Sequence, residues 1–319
     1  NKNLISKTFS EIYNKPITYY LDKLNKKSNY LILEKNSLYL ESSKILEKMK
    51  LLEGLRYERK NERFYPYNNL ASHILGYVNL DGEGMYGIEE NFNSILSGDT
   101  SKIHLRKGVK GKYHNQNPNK TKGGYDIYLT IDVASQQILQ EELEKYFIKT
   151  NALGANGIIV DPYNGNIVAM ASFPDYNPNY YFNYNIENYK NRAISESYEP
   201  GSTFKIITLS KALESHNYSI EDSIDCENGK ILLLNNKILR DHEPHKKLSL
   251  LDVFAHSSNI GTSKIIDGFN NIDLYAYCKN FGFGLKTGIP FKSEAKGKIR
   301  SIEGWSKTSK NYISIGQEL

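Results

Sequence analysis

Two short apolar runs joined by a turn constrain the fold of this chain more than any other feature. Gly157-Ile158-Ile159-Val160 and Ile167-Val168-Ala169-Met170 flank the segment Asp161-Pro162-Tyr163-Asn164-Gly165, which places turn residues where a hairpin needs them. The β-branched side chains predict an antiparallel pair that packs into a core. Helical patterns follow, and antiparallel strands followed by helices favour an α+β domain over a doubly wound parallel sheet.

A serine and a lysine stand three residues apart at the start of the next helical segment. Pro200 and Gly201 interrupt the backbone just before the apolar run 206–209, so Ser202 is expected in the first turn of a helix, with Lys205 on the same face. A lysine can activate a serine as a nucleophile when burial, a neighbouring cation or the positive end of the helix lowers the pKa of its amine. The same spacing also fits an N-cap serine followed by a solvated lysine, so both interpretations stay open on spacing alone.

A second group of polar side chains lies in the segment 255–261, which reads Ala-His-Ser-Ser-Asn-Ile-Gly. Ser257 could relay a proton toward or away from a nucleophile, and Asn259 could hydrogen-bond a peptide-like substrate. Ordinary turn or capping chemistry accounts for the same residues equally well. The pattern therefore gives a candidate site and does not decide its role.

The composition excludes several classes of function. The net charge is +5 over 319 residues, and acidic residues interrupt the basic ones throughout, so the one-sided basic surface of a nucleic-acid-binding protein is missing. Cys226 and Cys278 are isolated, and His242 and His245 have no further ligand cluster, so no metal site is predicted. No apolar run approaches the roughly 18 residues of a membrane span. The first residue is Asn1 and not Met, which suggests a trimmed or processed N-terminus.

Patterning divides the chain into two domains. The first, 1–122, is expected to contain a strand at 30–33 and helices at 4–12, 40–52 and 88–96. Residues 101–124 are basic, polar and rich in Asn and Gly, and they indicate a linker or extended hairpin that places the domain boundary there. The second domain, 123–319, is expected to begin with a strand at 125–130 and a helix capped by Asp132.

Several motifs together carry a resemblance to a known family. Ser-x-x-Lys and a Ser-x-Asn triplet belong to the signature of penicillin-binding proteins and class A β-lactamases. The motifs of the second domain are Leu129–Asp132, Met170–Pro174, Asn191–Ala193, Tyr198–Lys205, Asp241-His242, Ser257–Gly261, Phe281–Gly284 and Thr287–Ile289; those of the first are Arg63–Pro66, His73–Tyr77 and Gly87–Glu89. In combination they resemble a class B penicillin-binding protein, and Tyr198–Gly201 and Asp175–Asn179 are more similar to the septal branch than to the elongation branch.

The resemblance implies a non-catalytic pedestal domain followed by a transpeptidase domain with an antiparallel sheet flanked by helices. It implies a D,D-transpeptidase in which Ser202 attacks the D-alanyl-D-alanine carbonyl, Lys205 is the base, Ser257 relays the proton and Asn259 contacts the substrate amide. The Ser202 N–H would be half of the oxyanion hole, no cofactor would be needed, and a β-lactam would acylate the same serine. Expected partners are peptidoglycan stem peptides, a membrane glycan polymerase and other division proteins. The expected location is the extracytoplasmic face of the cytoplasmic membrane, with an anchoring N-terminal helix outside this chain.

The triplet Lys286-Thr287-Gly288 is not the third catalytic motif of such a protein. It lies in a segment that resembles the family's glycine-rich loop, whereas the catalytic Lys-Thr-Gly belongs to a later strand. Residues 314–319 resemble the segment before that strand, so the transpeptidase domain is expected to be C-terminally incomplete and this polypeptide alone not to be a competent catalyst.

Two other functions stay open as alternatives. A serine β-lactamase or β-lactam sensor shares the serine and lysine, but the first 120 or so residues do not suit it and no deacylating base can be identified. A non-catalytic division scaffold would bind a partner through the pedestal.

Overall fold

The computed structural model describes residues 1–28, 30–35, 37, 39–57, 63–98, 105–107, 113–115, 123–234 and 236–319. These residues form two compact units, Asn1–Arg63 and Phe64–Leu319. The predicted boundary at 122/123 borders the stretch 116–122, which lies outside the described residues, and it stays a prediction. Among the described helices, none combines the length and the hydrophobicity that a membrane crossing requires.

The first unit is helical. Its helices are α1 (Lys2–Tyr13), α2 (Ile17–Asn25) and α3 (Tyr39–Lys48), and the 3₁₀ turn Met49–Leu51 extends the last one. Its core consists of buried apolar side chains from these helices and the segments beside them: Ile5, Phe9, Tyr20, Leu33, Ile45 and Leu52. The helices predicted at 4–12 and 40–52 are confirmed. α2 has no counterpart in the prediction, because Pro16 indicates the end of one helix as readily as the start of the next.

The strand predicted at 30–33 is wrong. The apolar side chains of Tyr30 and Ile32 are 67% and 45% exposed, so they do not form the buried face of a strand. The backbone is bound by side chains instead: Ser28 Oγ donates to the Tyr30 carbonyl and Lys23 Nζ to the Leu33 carbonyl. Local side-chain hydrogen bonds of this kind replace those of a sheet.

The second unit mixes helices with strands. Its helices are α4 (Ser72–Leu75), α5 (Gly87–Asn91), α6 (Asn93–Leu96), α7 (Val133–Thr150), α8 (Arg192–Ser195), α9 (Lys205–Glu214), α10 (Leu250–Ala255), α11 (Asn259–Asp267), α12 (Asn271–Asn280) and α13 (Ser309–Ile313). Its strands are β1 (Tyr77–Val78), β2 (Gly84–Met85), β3 (Leu105–Lys107), β4 (Tyr113–Asn115), β5 (Ala155–Val160), β6 (Ile167–Phe173), β7 (Ser223–Asp225), β8 (Lys230–Leu232), β9 (Ile238–Arg240) and β10 (Lys247–Ser249). Further 3₁₀ turns span Pro178–Asn183, Ile186–Tyr189, Gly201–Phe204, Glu227–Gly229 and Ile302–Gly304.

Every strand pair in the described residues is antiparallel, which confirms the α+β class. The pairs are β1 with β2, β3 with β4, β5 with β6, β7 with β10 and β8 with β9. The pair of β3 and β4 lies within the stretch predicted as a linker or extended hairpin. The helix predicted at 88–96 is divided into α5 and α6 at Phe92, whose backbone leaves the helical region.

The predicted hairpin at 157–170 is confirmed and forms the longest strand pair. The Gly165 N–H donates to the Asp161 carbonyl at 2.8 Å, closing the turn, and Ile158 pairs with Met170. α7 packs on this hairpin. Asp132 caps α7 as predicted, because its side chain accepts the N–H of Ser135.

A buried glutamine joins α7 to β6. Gln136 accepts the N–H of Met170 at 2.8 Å and donates to its carbonyl at 2.9 Å, so its amide imitates a neighbouring strand.

The strand predicted at 125–130 is wrong, because among the described residues this segment makes single hydrogen bonds to different partners and no ladder. The Tyr125 N–H binds the Ile95 carbonyl, and the Tyr128 side chain is 93% exposed.

The helices after the hairpin build the apolar core that supports the candidate site. α9, α10, α11 and α12 bury one face each, together with residues of β7, β9 and α13. The fully buried members include Ala212, Cys226, Val253, Ile260, Ile265, Ile266 and Leu274. Two of these helices, α9 and α11, begin at the candidate catalytic residues.

Candidate active site

Lys205 is the centre of a hydrogen-bonded cluster at the start of α9. Its side chain is 1% exposed, because the neighbouring positions of this helix turn into the apolar core. Its ammonium donates to three oxygens: the Ser257 carbonyl at 2.5 Å, the Ser257 hydroxyl at 3.0 Å and the Asn259 side-chain carbonyl at 2.7 Å. Three of the four predicted site residues are therefore brought together by direct contacts.

Burial changes the acid–base properties of this lysine. Removal of the ammonium from water lowers the pKa of Lys205 from its ordinary value of 10.5 to about 8, and the Asp241 carboxylate acts in the opposite direction. A buried ammonium costs free energy unless it is paired, and here hydrogen-bond acceptors solvate it in place of water. The result is an amine that can take up and give up a proton near neutral pH.

Ser202 lies on the 3₁₀ turn Gly201–Phe204, called here the serine turn, which leads directly into α9. Residues three apart in a 3₁₀ helix lie one above the other, so Ser202 and Lys205 are on one side of this segment. The Lys205 N–H donates to the Ser202 carbonyl. The Ser202 side chain is exposed, and among the described residues its hydroxyl has no hydrogen-bond partner. The predicted position in a first helical turn is confirmed, with 3₁₀ geometry in place of α.

The loop between α10 and α11 presents the two remaining candidates. Ser257 has a left-handed backbone, with φ at 53°, and is exposed to solvent. Ser258 is the N-cap of α11 and accepts the N–H of Gly261 at 2.9 Å. Asn259 is engaged at both ends of its amide, since Nδ2 donates to the Arg240 carbonyl at 2.8 Å and Oδ1 accepts from Lys205. One N–H of this amide is left to meet a substrate.

Asp241 anchors this loop, although it was not predicted as a site residue. Its carboxylate accepts the Ser258 hydroxyl at 2.6 Å and the Ile260 N–H at 2.9 Å. Its own N–H donates to the Gly229 carbonyl at 3.1 Å, which fixes it beside the end of β9. The Asp241-His242 motif is the sequence signal that could have identified Asp241 as a residue of the site.

The segment 309–318 packs against the serine turn, and this contact was also not predicted. The Gly201 N–H donates to the Gly316 carbonyl at 3.0 Å, and a Cβ at Gly316 would lie 2.0 Å from the Gly201 carbonyl oxygen. The Glu318 N–H donates to the Glu199 carboxylate at 2.8 Å. The Glu199 carboxylate therefore fixes the backbone of Glu318 next to the serine turn.

The remaining candidates lie apart from this cluster. Thr287 of the Lys286-Thr287-Gly288 triplet sits in a loop and binds the Glu294 carboxylate through its N–H at 2.7 Å and its hydroxyl at 2.6 Å. The rings of His245 and His256 lie 4.8 Å apart. Within the described residues no group of three or more His, Cys, Asp or Glu side chains is arranged to hold a metal.

Comparison with protein families identifies two domains. The model described as penicillin-binding protein transpeptidase domain matches residues 156–319, and the model described as penicillin-binding protein dimerisation domain matches residues 2–129. The second match covers the predicted pedestal.

Relatives and solved structures agree with this assignment. The chain is 28% identical to the probable peptidoglycan D,D-transpeptidase PenA of Neisseria meningitidis serogroup A, over 97% of this chain and 53% of that protein. It is 30% identical to the peptidoglycan D,D-transpeptidase FtsI of Buchnera aphidicola, over 99% of this chain and 56% of that protein. The structure of penicillin-binding protein 3 of Mycobacterium tuberculosis complexed with ampicillin matches with a TM-score of 0.72 and 25% identity, over 82% of this chain and 55% of that one.

The chain thus spans about half the length of the curated relatives it matches. A dimerisation domain before a transpeptidase domain is the order that the sequence motifs imply. The chain belongs to the penicillin-binding protein transpeptidase family, and within it to the class B penicillin-binding proteins.

Proposed function

We propose that the protein is a serine-type D,D-transpeptidase that cross-links peptidoglycan. Ser202 Oγ forms a bond to the carbonyl carbon of the D-alanyl-D-alanine peptide bond, and the C–N bond to the terminal D-alanine breaks. The hydroxyl proton passes to Lys205 and then to the leaving amine. An amine of a neighbouring strand then attacks the ester and forms the new amide, and the proton that it loses returns through Lys205 to the Ser202 oxygen as the ester C–O bond breaks.

The observation that carries the proposal is the buried Lys205 ammonium bound to Ser257 and Asn259, one helical turn from an exposed serine. A pKa of about 8 leaves about one Lys205 side chain in ten neutral at pH 7, compared with very few at the ordinary value of 10.5. The neutral amine is the form that can accept the Ser202 proton. Structural roles alone do not require a lysine here, since burying an ammonium costs stability.

The neighbouring groups fit the other steps. Ser257 is exposed and bonded to the ammonium, so its hydroxyl can pass a proton between Lys205 and the leaving amine. The Ser202 N–H belongs to the first turn of a helical segment, where N–H groups have no partner in the helix, and it can donate to the developing oxyanion. Asn259 meets the substrate amide through the free N–H of its side chain.

The substrate, partners and location follow from this proposal and from the septal resemblance. The donor and acceptor are peptidoglycan stem peptides, and β-lactams are substrate mimics that acylate the same serine. The partners are a membrane glycan polymerase and other division proteins. The protein acts at the extracytoplasmic face of the cytoplasmic membrane, held there by a membrane anchor.

Labelling with a fluorescent penicillin tests the proposal. The natural protein should form a covalent adduct that persists for many minutes, and Ser202→Ala should abolish it. Ser210→Ala is the matched control, because Ser210 lies on α9 and its hydroxyl binds the Ile207 carbonyl and the Tyr277 hydroxyl, neither of which belongs to the Lys205 cluster. That variant should label like the unchanged protein.

The other two functions give different results in the same experiment. A β-lactamase would hydrolyse the penicillin with rapid turnover, and its adduct would not accumulate. A non-catalytic scaffold would form no adduct at any time. Labelling that survives Ser202→Ala would also contradict the proposal.

A further inference from the structure

Asp241 is the only carboxylate in the described residues that binds the start of α11. Its Oδ2 accepts the Ser258 hydroxyl and its Oδ1 accepts the Ile260 N–H, so the two oxygens hold the residues on either side of Asn259. The adjacent Arg240 carbonyl accepts the Asn259 amide itself. The end of β9 therefore holds three consecutive residues of the site, 258–260.

This anchoring decides where the Lys205 acceptors lie. Ser257 precedes the held residues directly and has a left-handed backbone, which is uncommon for a non-glycine residue. If Ser258 is released, the Ser257 carbonyl and hydroxyl are no longer fixed opposite the ammonium. A hydrogen bond to a charged group is worth more than one between neutral groups, so Asp241 holds this loop more firmly than an amide would.

We propose that Asp241 is a positioning residue for acylation: its carboxylate fixes the loop that holds Ser257 and Asn259 against Lys205, and its charge acts on the Lys205 ammonium. The inference rests on the proposed function, because it assigns a role in that same site. Asp241 touches neither the serine turn nor a reacting atom, and it acts through Ser258 and Ile260.

The electrostatic part has a definite sign. Ser257 and Asn259, which contact the ammonium directly, are neutral, and among the residues that the structure describes Asp241 is the charged group whose field acts on Lys205. Its negative charge raises the pKa of Lys205 against the larger lowering by burial. Loss of the charge should therefore lower this pKa further, while loss of the anchor should slow the reaction.

The pH dependence of acylation by a fluorescent penicillin separates these two effects. The rising limb is the part of the profile in which the acylation rate increases with pH. In Asp241→Asn this rising limb should move to lower pH, because Lys205 loses its proton more easily. Its plateau rate should fall by about tenfold to a hundredfold, the range expected when a hydrogen bond to a charged group is lost. Asp241→Glu keeps the charge and displaces the carboxylate. The rising limb of this variant should therefore stay at the same pH, while its plateau rate falls.

Asp252→Asn is the matched control. Asp252 accepts the Ser249 hydroxyl at 2.7 Å at the start of α10, a bond like that between Ser258 and Asp241, and it makes no contact with Lys205. This variant should keep the limb and the plateau of the unchanged protein. An equal effect in Asp252→Asn, or an unchanged profile in Asp241→Asn, would overturn the inference.

A second readout does not depend on activity. The Lys205 side-chain signal in the NMR spectrum of ¹³C-lysine protein is assigned by its loss in Lys205→Met and followed as a function of pH. It should titrate at lower pH in Asp241→Asn than in the unchanged protein, and the same midpoint in both would refute the charge effect. If the natural protein is not acylated, the proposed function fails, and this titration still decides whether Asp241 acts on Lys205.

Discussion

Replacing Lys205 by methionine should change how the stability of the protein depends on pH. The lysine titrates at about 8 when folded and at 10.5 when it has its ordinary pKa. Between these values the unfolded chain binds more protons than the folded one, so this residue makes the protein more stable as the pH rises. Its burial as an ammonium costs about 3 kcal/mol at pH 7, and this cost falls by about 1.3 kcal/mol by pH 9.

The methionine variant lacks this contribution. It leaves the Ser257 carbonyl and the Asn259 side-chain carbonyl without their ammonium donor, but that loss does not titrate in this range. The free energy of unfolding of the unchanged protein, minus that of Lys205→Met, should therefore increase by about 1.3 kcal/mol from pH 7 to pH 9. Taking this difference removes the contributions of the other titrating groups, because they are present in both proteins.

Urea denaturation followed by tryptophan fluorescence measures this difference. Trp305 is the only tryptophan in the sequence, and it packs on the core of the second unit, which contains the site. Lys211→Met is the matched control, because Lys211 lies on the same helix with its ammonium over the Phe269 and Tyr277 rings. A difference that stays constant between the two pH values would show that burial does not lower the pKa of Lys205, and an equal increase for the control would show that the effect does not come from Lys205.

Two further substitutions test contacts outside the cluster. Gly316→Ala places a Cβ 2.0 Å from the backbone of the serine turn, so it should destabilise the protein by about 2 kcal/mol or more and slow penicillin acylation. Gly297→Ala is its control, because Gly297 also has positive φ but no atom lies within 4 Å of the added carbon. Gln136→Leu leaves the N–H and carbonyl of Met170 unpaired in the core, at a cost of about 2 to 5 kcal/mol in urea denaturation. The exposed neighbour Gln137, changed in the same way, should cost less than about 0.5 kcal/mol.

These two predictions fail in recognisable ways. Gly316→Ala and Gly297→Ala would have equal effects if only backbone strain mattered and the close approach to the serine turn did not. An unchanged urea midpoint for Gln136→Leu would show that the amide does not complete the hydrogen bonds of β6.

Local signals were sufficient to predict the parts of the fold that carry their own turn or cap. The hairpin at 157–170 depends on the turn 161–165, and α7 depends on Asp132, each within a few residues. The position of Ser202 and Lys205 follows from Pro200-Gly201 in the same way. These features need no information from distant parts of the chain.

Other features depend on contacts between residues far apart in the sequence. Alternation at 125–130 predicts a strand, but none of the strands in the described part of the chain pairs with that segment. The burial of Lys205 is set by how α9 meets residues 52 and 54 positions further on. The contact between Gly316 and the serine turn likewise joins segments that no periodicity connects.

A crystal structure of the penicillin adduct of the natural protein would show whether Ser202 is the nucleophile and whether Lys205, Ser257 and Asn259 surround it. We expect an ester on Ser202 Oγ, with the Lys205 amine and the Ser257 hydroxyl within about 3 Å of the ester oxygen or of the nitrogen of the opened β-lactam ring. We also expect the Asn259 amide to face the side-chain amide of the drug. An adduct on another residue, or an acylated Ser202 remote from Lys205, Ser257 and Asn259, would contradict the proposed mechanism.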